Sequence, residues 1–285
     1  MLARRLPTIL PPLALDEALE VTAVHSVAGL LGDVRGVLTA RPFRAPHHTV
    51  SAAGLVGGGD PVRPGEVSLA HHGCLFLDEL LEFRRNVLES LRQPLEDGQI
   101  TIARARARAT FPARPLVVAA VNPCPCGYAG ERQRRCTCSA DRVRHYRARL
   151  SGPLLDRIDL HIVLPPVEVA HLQGNQRGEP SDAVRARATA ARAVQIGRSR
   201  REVEATNNGA LSPRDLERVA TPDAAGARLL ASAMERLGLS ARAYGKVLRV
   251  ARTIADLEGD SAVRSPHIAE AIHLRLLDRE PQAKL

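Results

Sequence analysis

Cys74-Leu75-Phe76-Leu77-Asp78-Glu79 is an apolar run that ends in two carboxylates. Consecutive apolar residues of this length fit a strand covered on both faces, as in a parallel sheet. A strand that delivers an acidic pair at its C-terminal end suits a Mg2+-nucleotide site, the first carboxylate holding the metal and the second polarising the attacking water. Such a strand normally works with an upstream phosphate-cradling loop, G-x-x-x-x-G-K-[ST]. That pattern does not occur in the sequence, whose only lysines are Lys246 and Lys284. Half of a nucleotide site is legible, and the rest of the chain is read outward from it.

At 285 residues the chain holds one large or two modest domains with a real hydrophobic core. Hydrophobic residues make up 45% and charged residues 25%, a globular composition. The net charge is +9, and all but two of the 40 basic residues are arginine. Guanidinium forks match phosphate geometry, so an anionic partner fits, although an Ala- and Arg-rich composition gives the same charge without one. Five cysteines in such a chain argue against a disulfide scaffold. The arginines and apolar residues of Met1 to Ala14 superficially resemble a secretory signal, but Pro7, Pro11 and Pro12 interrupt them and Asp16 and Glu17 follow. The sequence is read as cytoplasmic, with no targeting segment and no membrane span.

Outward from the acidic pair, residues 1 to about 168 alternate short apolar runs with helical patterns, the signature of a parallel α/β sheet. Strands are expected at Cys74–Leu77, Leu116–Val121 and Leu160–Leu164, all read as covered on both faces, and an amphipathic helix at Leu80–Leu91. Gln99–Ile102 and Ala109–Phe111 flank an Arg-Ala-Arg-Ala-Arg turn and predict a protruding hairpin. The Gly-rich stretch from Val56 to Gly65 predicts a loop or short hairpin inserted in a helix that starts near Ser51. Residues 169 to 208 read as a polar linker with one helix, Ser181–Val194. Residues 209 to 285 read as a small helical domain, with N-caps at Ser212, Thr221 and Ser265, each before a proline. Tyr244, Val247, Val250 or Ala251, and Ile254 form a helical stripe within it.

Three side-chain clusters carry further chemistry. Cys124, Cys126, Cys136 and Cys138 form two C-x-C pairs, a donor set that suits tetrahedral Zn2+, with Arg132, Arg134 and Arg135 between them to offset thiolate charge; unliganded loop thiols are the alternative. Cys74 reads as a small hydrophobe in a core strand. Arg104, Arg106 and Arg108 alternate with alanine, so on a strand they share a face and at a turn they crown it. From the residues alone, a solvated charged turn explains them better than a phosphate contact does. His47-His48 and His71-His72 are adjacent pairs whose side chains on a strand point to opposite faces, which argues against chelation.

Several strings resemble one family closely: Arg41-Pro-Phe-Arg-Ala-Pro-His-His48, Pro64-Gly-Glu-Val-Ser-Leu-Ala-His71, Leu91-Arg-Gln-Pro-Leu-Glu96, Asn122-Pro-Cys-Pro-Cys-Gly127 and Ser151-Gly-Pro-Leu-Leu-Asp-Arg-Ile-Asp159. They are similar to the magnesium-chelatase-like ComM branch of the AAA+ ATPases, from residue 1 to about 280. The resemblance implies an AAA+ parallel-sheet P-loop NTPase core, here lacking its first strand and its phosphate loop, followed by an all-α lid. It places Met1 to Pro7 directly after the phosphate loop, inside the first helix. It also implies ATP and Mg2+ as cofactors, with Asp78 on Mg2+, Glu79 activating the water, Asn122 as sensor 1 and Arg157 as an arginine finger. Arg242 is the sensor-2 choice, with Arg249 as runner-up. A finger supplied in trans needs a homo-oligomer, and the resemblance implies a hexameric ring in the full-length protein. The hairpin bearing Arg104, Arg106 and Arg108 is implied to point into the ring channel and to meet DNA. The implied activity is an ATP-driven DNA motor for branch migration in recombination and natural transformation, with protein remodelling as the alternative. Without the phosphate loop, this chain alone is expected neither to bind ATP tightly nor to hydrolyse it.

Overall fold

The computed structural model describes residues 2–32, 36–104, 107–130, 134–165 and 178–275. They fall into two compact units, the first ending at Arg157 and the second starting at Ile158.

In the first unit, α1 (Leu6–Ile9) and α2 (Leu15–Val27) precede a three-stranded parallel sheet of order β1-β4-β7, with β1 at Phe43–Arg44, β4 at Cys74–Leu77 and β7 at Leu116–Ala119. Phe43 pairs with Cys74, and Leu77 with Ala119. β4 lies between the other two, and Cys74, Leu75 and Leu77 are buried, as a strand with neighbours on both edges requires. β7 is different. It has one neighbour among the described strands, and Leu116 is exposed, so the expected burial on both faces does not hold there. Leu160–Leu164 forms no strand. His161 makes a single bridge to Arg275, while Leu160, Ile162, Val163 and Leu164 are exposed, since no described strand offers this apolar run a ladder of backbone partners.

The segment after Ser51 folds as its composition predicts. Ser51 accepts a hydrogen bond from the Gly54 N–H and caps α3 (Ala52–Val56). The ribbon β2 (Gly57–Gly58) and β3 (Arg63–Pro64) follows, and then α4 (Glu66–Leu69). The helix expected over Leu80–Leu91 is broken into a short 3-10 turn at Leu80–Glu82 and α5 (Arg85–Glu89), with α6 (Arg92–Asp97) after it. Between turn and helix Phe83 is extended and buried with Leu80 and Val87, so tertiary burial overrides helix continuity. β5 (Gln99–Arg104) and β6 (Ala107–Pro112) form the predicted antiparallel hairpin. α7 (Ala140–Arg147) and α8 (Gly152–Leu155) complete the unit. Its core gathers Leu55, Val67, Leu75, Leu77, Phe83, Leu91 and Ile100.

The second unit is helical: α9 (Ser181–Ser199), α10 (Pro213–Val219), α11 (Ala224–Leu237), α12 (Ala241–Glu258) and α13 (Ser265–His273). Ser212 caps α10 in a reciprocal capping box with Asp215. Thr221 is not a cap, because its hydroxyl donates to the Glu217 carbonyl and Asp223 caps α11 instead, accepting from the Gly226 N–H at 2.6 Å. Ser265 is the first residue of α13 rather than its cap. The stripe on α12 is core at Val247, Ala251 and Ile254, whereas Tyr244 is exposed. Asp256 of α12, fully buried, accepts from Arg252, Arg198 and Asn208 and ties α9 to α12.

Candidate nucleotide site and four-cysteine centre

The C-terminal ends of parallel strands are where α/β sheets bind ligands. β4 ends there in Asp78 and Glu79, both exposed. The Leu80 N–H donates to the Ala120 carbonyl at 2.9 Å and the Ala120 N–H to the Leu77 carbonyl at 3.0 Å, so the pairing of β4 with β7 continues past both strands. The chain leaving β7 therefore presents Asn122, also exposed, at the same edge as the carboxylates. Glu79 takes a left-handed backbone, with φ at 51°. A non-glycine residue there is uncommon, and such strain concentrates at functional sites. The Asp78 Oδ1 accepts the Glu79 N–H at 3.1 Å and steadies this turn.

One residue of this edge has no role that its sequence context assigns. His48, four residues beyond β1, brings its Nδ1 to 3.4 Å from the Glu79 Oε2. Its ring lies 4.0 Å from that of His47 and edge-on to Phe83. β1 spans only two residues, too short to announce a strand, and no local pattern places His48 beside β4. The parallel pairing of β1 with β4 brings it there.

Arg157 follows α8, with its side chain 13% exposed. It pairs with Glu96 at 2.6 Å and donates to the Pro153 carbonyl. In the second unit Arg242 is exposed in the first turn of α12, where the helix dipole disfavours a cation. Arg249 donates through both Nε and Nη2 to the Leu211 carbonyl, and burial lowers its pKa.

The hairpin register settles where its arginines stand. Arg104 pairs with Ala107 and Arg108 with Ala103, so Arg104 and Arg108 lie on opposite faces of the ribbon rather than sharing one. β5 ends at Arg104 and β6 begins at Ala107, so the alternating run is divided between the two strands. Both arginines are exposed, and Arg106 lies outside the described residues. Ile100 and Phe111, paired at the base, are buried and anchor the hairpin.

The four cysteines converge. All four sulfurs lie within 4.8 Å of one another, with Cys124 to Cys126 at 3.3 Å and Cys136 at 3.6 Å from both. A tetrahedron with metal–sulfur bonds of about 2.3 Å has edges of about 3.8 Å, so the donor set fits Zn2+. These separations are too long for a disulfide. Backbone amides face the sulfurs: the Ala129 N–H donates to Cys124 at 3.3 Å. The Tyr128 and Thr137 amides draw the Cys126 thiol down to about 5. The Cys138 amide likewise pulls Cys136 down, but burial and the neighbouring sulfurs outweigh it and push that thiol up to about 11. Interaction among the sulfurs thus leaves Cys126 acidic and Cys136 and Cys138 basic. Arg134 donates to the Tyr128 hydroxyl and lies over its ring, Arg135 is exposed, and Arg132 is outside the described residues. Cys74 is buried in β4, its thiol pushed up to about 11, and is a core residue.

A second convergent cluster joins Glu20, His71 and His72. The two histidines do not diverge as on a strand, because His72 takes φ 53° and both rings reach the Glu20 carboxylate, at 2.7 and 3.0 Å. The His71 Nδ1 accepts the Arg114 N–H at 3.1 Å, so its proton sits on Nε2 and donates to Glu20. A nitrogen that carries a proton does not ligate a metal, and this cluster is a hydrogen-bonded tie between α2 and the entry to β4.

The described residues thus form a small parallel α/β sheet with an acidic edge, followed by a helical region, and the comparison with known families names the class. Residues 1–172 match the family described as "Magnesium chelatase, subunit ChlI", and residues 178–275 match "Magnesium chelatase, subunit ChlI C-terminal". The chain belongs to the magnesium chelatase ChlI family. It is 44% identical over 98% of its length to "Competence protein ComM" of Haemophilus influenzae, covering 53% of that protein. It is 43% identical to the uncharacterized protein YifB of Salmonella typhimurium, with 98% of this chain and 54% of that one covered. An uncharacterized protein of Mycobacterium tuberculosis is 44% identical, with 96% and 54% covered. The chain thus spans about half the length of the curated relatives it matches. Among the described residues, no helix is long and apolar enough to cross a membrane.

Proposed function

We propose that this chain carries the metal-binding and water-activating half of an AAA+ ATPase site, in a protein that as a whole is an ATP-driven motor on DNA. The observation that carries the proposal is the shared strand edge, where Asp78 and Glu79 end β4 beside the Asn122 end of β7. Bound Mg2+ would neutralise the charge that spreads over the transferring phosphoryl group. Asp78 would hold that ion, and Glu79 would accept the proton of the attacking water. His48 holds the Glu79 carboxylate in place, and the Asn122 amide orients the water from the neighbouring strand end. The donor chemistry fits Mg2+, whereas a lysine-bearing phosphate cradle is absent from the sequence. The isolated 285-residue chain accordingly neither binds ATP tightly nor turns it over, and micromolar ATP binding by it would contradict this.

Arg157 acts as a finger toward a second copy in a ring of the whole protein, and must first leave Glu96. Arg242 is the lid arginine, since Arg249 is committed to Leu211. Cys124, Cys126, Cys136 and Cys138 would hold a second ion, Zn2+, which would serve structure rather than substrate chemistry. The exposed hairpin with Arg104, Arg106 and Arg108 contacts DNA phosphates, in keeping with the relative named as a competence protein. The test is ATP turnover by the whole protein with and without branched or single-stranded DNA. Stimulation that weakens in an Arg104→Ala/Arg108→Ala variant is the expected result, with the salt slope of DNA binding reduced by about 1 for each phosphate no longer neutralised. Turnover indifferent to DNA but stimulated by a protein substrate would instead favour a remodelling ATPase.

A further inference from the structure

The stretch between β7 and α7 has almost nothing of the ordinary kind to hold it. Among its described residues, from Ala120 to Ser139, there is no helix or strand, and Cys124 is the one buried side chain. A segment without a core must be fixed by other bonds, because ordering its backbone is costly. Those present gather at the sulfurs. Gly127 N–H donates to the Cys124 carbonyl at 2.9 Å, Ala129 N–H to the Cys124 sulfur at 3.3 Å, the Tyr128 and Thr137 amides to Cys126, the Cys138 amide to Cys136, and Arg134 to the Tyr128 hydroxyl.

Both ends of this stretch lead to the acidic edge. Asn122 stands two residues before Cys124. α7 starts two residues after Cys138, and its Arg147 Nε returns to donate to the Pro123 carbonyl at 3.2 Å. The next residue back on α7, Tyr146, is buried, and Arg149 beyond the helix pairs with Glu82, just past the acidic pair. The cysteine centre is thus the knot of a closed circuit that runs from β7 through Asn122 and Pro123 and back along α7.

We infer that Zn2+ at the four cysteines is a positioning ion, which fixes the Asn122 end of β7 against the Asp78–Glu79 edge. The role given to Asn122 rests on the nucleotide-site proposal, whereas the metal's effect on this stretch does not. Binding deprotonates the thiols and turns four mutually crowding sulfurs into ligands of one centre, so the metal's binding energy becomes local folding energy. The arrangement is inside out relative to a catalytic zinc, since all four positions are filled by protein and the chemistry lies two residues away.

The test combines metal analysis with hydrogen exchange on the protein as purified. About one zinc per chain is expected, lost in a Cys126→Ser/Cys136→Ser variant, and Co2+ put in its place should show the visible absorption of tetrahedral thiolate coordination. Chelation of the wild-type protein, with Zn2+ add-back as control, covers the case in which the variant does not fold. Removal should speed exchange about tenfold or more at Gly127 and Ala129, and also at Ala120 and Leu80, the amides that join the two strand ends, while the Thr101–Thr110 hairpin and α12 keep their protection. Absence of zinc, zinc whose removal leaves Ala120 and Leu80 unchanged, or loss of protection everywhere would each overturn the inference. Asn122→Ala in the whole protein separates the two proposals. It should retain full zinc and lose ATP turnover, and unchanged turnover would remove Asn122 from the nucleotide site while leaving the metal results standing.

Discussion

His71 is 1% exposed, yet its ring is wholly engaged, with Nδ1 accepting from Arg114 and Nε2 donating to Glu20. Burial lowers its pKa below the ordinary 6.5, although Glu20 opposes that shift, and the hydrogen bond from His71 holds Glu20 below its ordinary 4.5. Protonating Nδ1 would also break the bond from Arg114. Both groups bind protons less readily folded than unfolded, so their contribution to stability is complete above pH 6.5 and is lost as the pH falls through the depressed values. His72, Glu17, Arg41 and Arg114 surround the pair. Thermal melts from pH 8 to pH 5 should show the wild type losing stability toward acid more steeply than His71→Gln, which keeps a donor and an acceptor but does not titrate. Parallel curves would contradict this. At the same scale, the acidic pair and the four cysteines were legible because short-range spacing encodes them. His48, the pairing of Arg157 with Glu96, and the tie from His71 to Glu20 were not, since each joins residues from 31 to 61 positions apart that only the tertiary fold brings together.

Among elements, the sheet is the most constrained. Gly73 enters β4 with its N–H bonded to the Ala70 carbonyl and its own carbonyl accepting from Leu116, while the next amide, that of Cys74, donates to the Pro42 carbonyl. A Cβ on Gly73 would fall within the Pro42 carbonyl oxygen and ring, which are held by the β1–β4 pairing. Gly73→Ala should cost about 3 kcal/mol in a denaturant titration, the upper range for forced overpacking. Gly197→Ala, in α9 with open space around it, should be neutral or stabilising by up to about 1 kcal/mol. Equal effects at the two sites would refute the packing account. β4 and the hairpin could be read from sequence because continuous burial and strand propensity around a turn are local signals. Leu160–Leu164 was misread because an apolar run states a preference for burial, whereas a strand also needs a neighbour. The Leu80–Leu91 break was hidden by a periodicity that a continuous helix satisfies equally well. The shared face read for the arginine run does not hold because the pairing register, not the alternation, assigns Arg104 and Arg108 to their faces.

For the molecule as a whole, the α/β unit brings carboxylates, amide and histidine to one strand edge, and a closed thiol centre stands on the loop that leaves it. The whole protein adds, on the present proposal, the phosphate cradle and the neighbouring copy that Arg157 would reach. The proposal gives this chain the proton-accepting carboxylate, and Glu79 is therefore the residue on which the account stands or falls. ATP hydrolysis by the whole protein carrying Glu79→Gln, measured alongside ATP binding, tests it most directly. The substitution should leave binding intact and lower hydrolysis by about 10²- to 10⁴-fold, the usual contribution of a positioned general base. Hydrolysis at the wild-type rate would contradict the account.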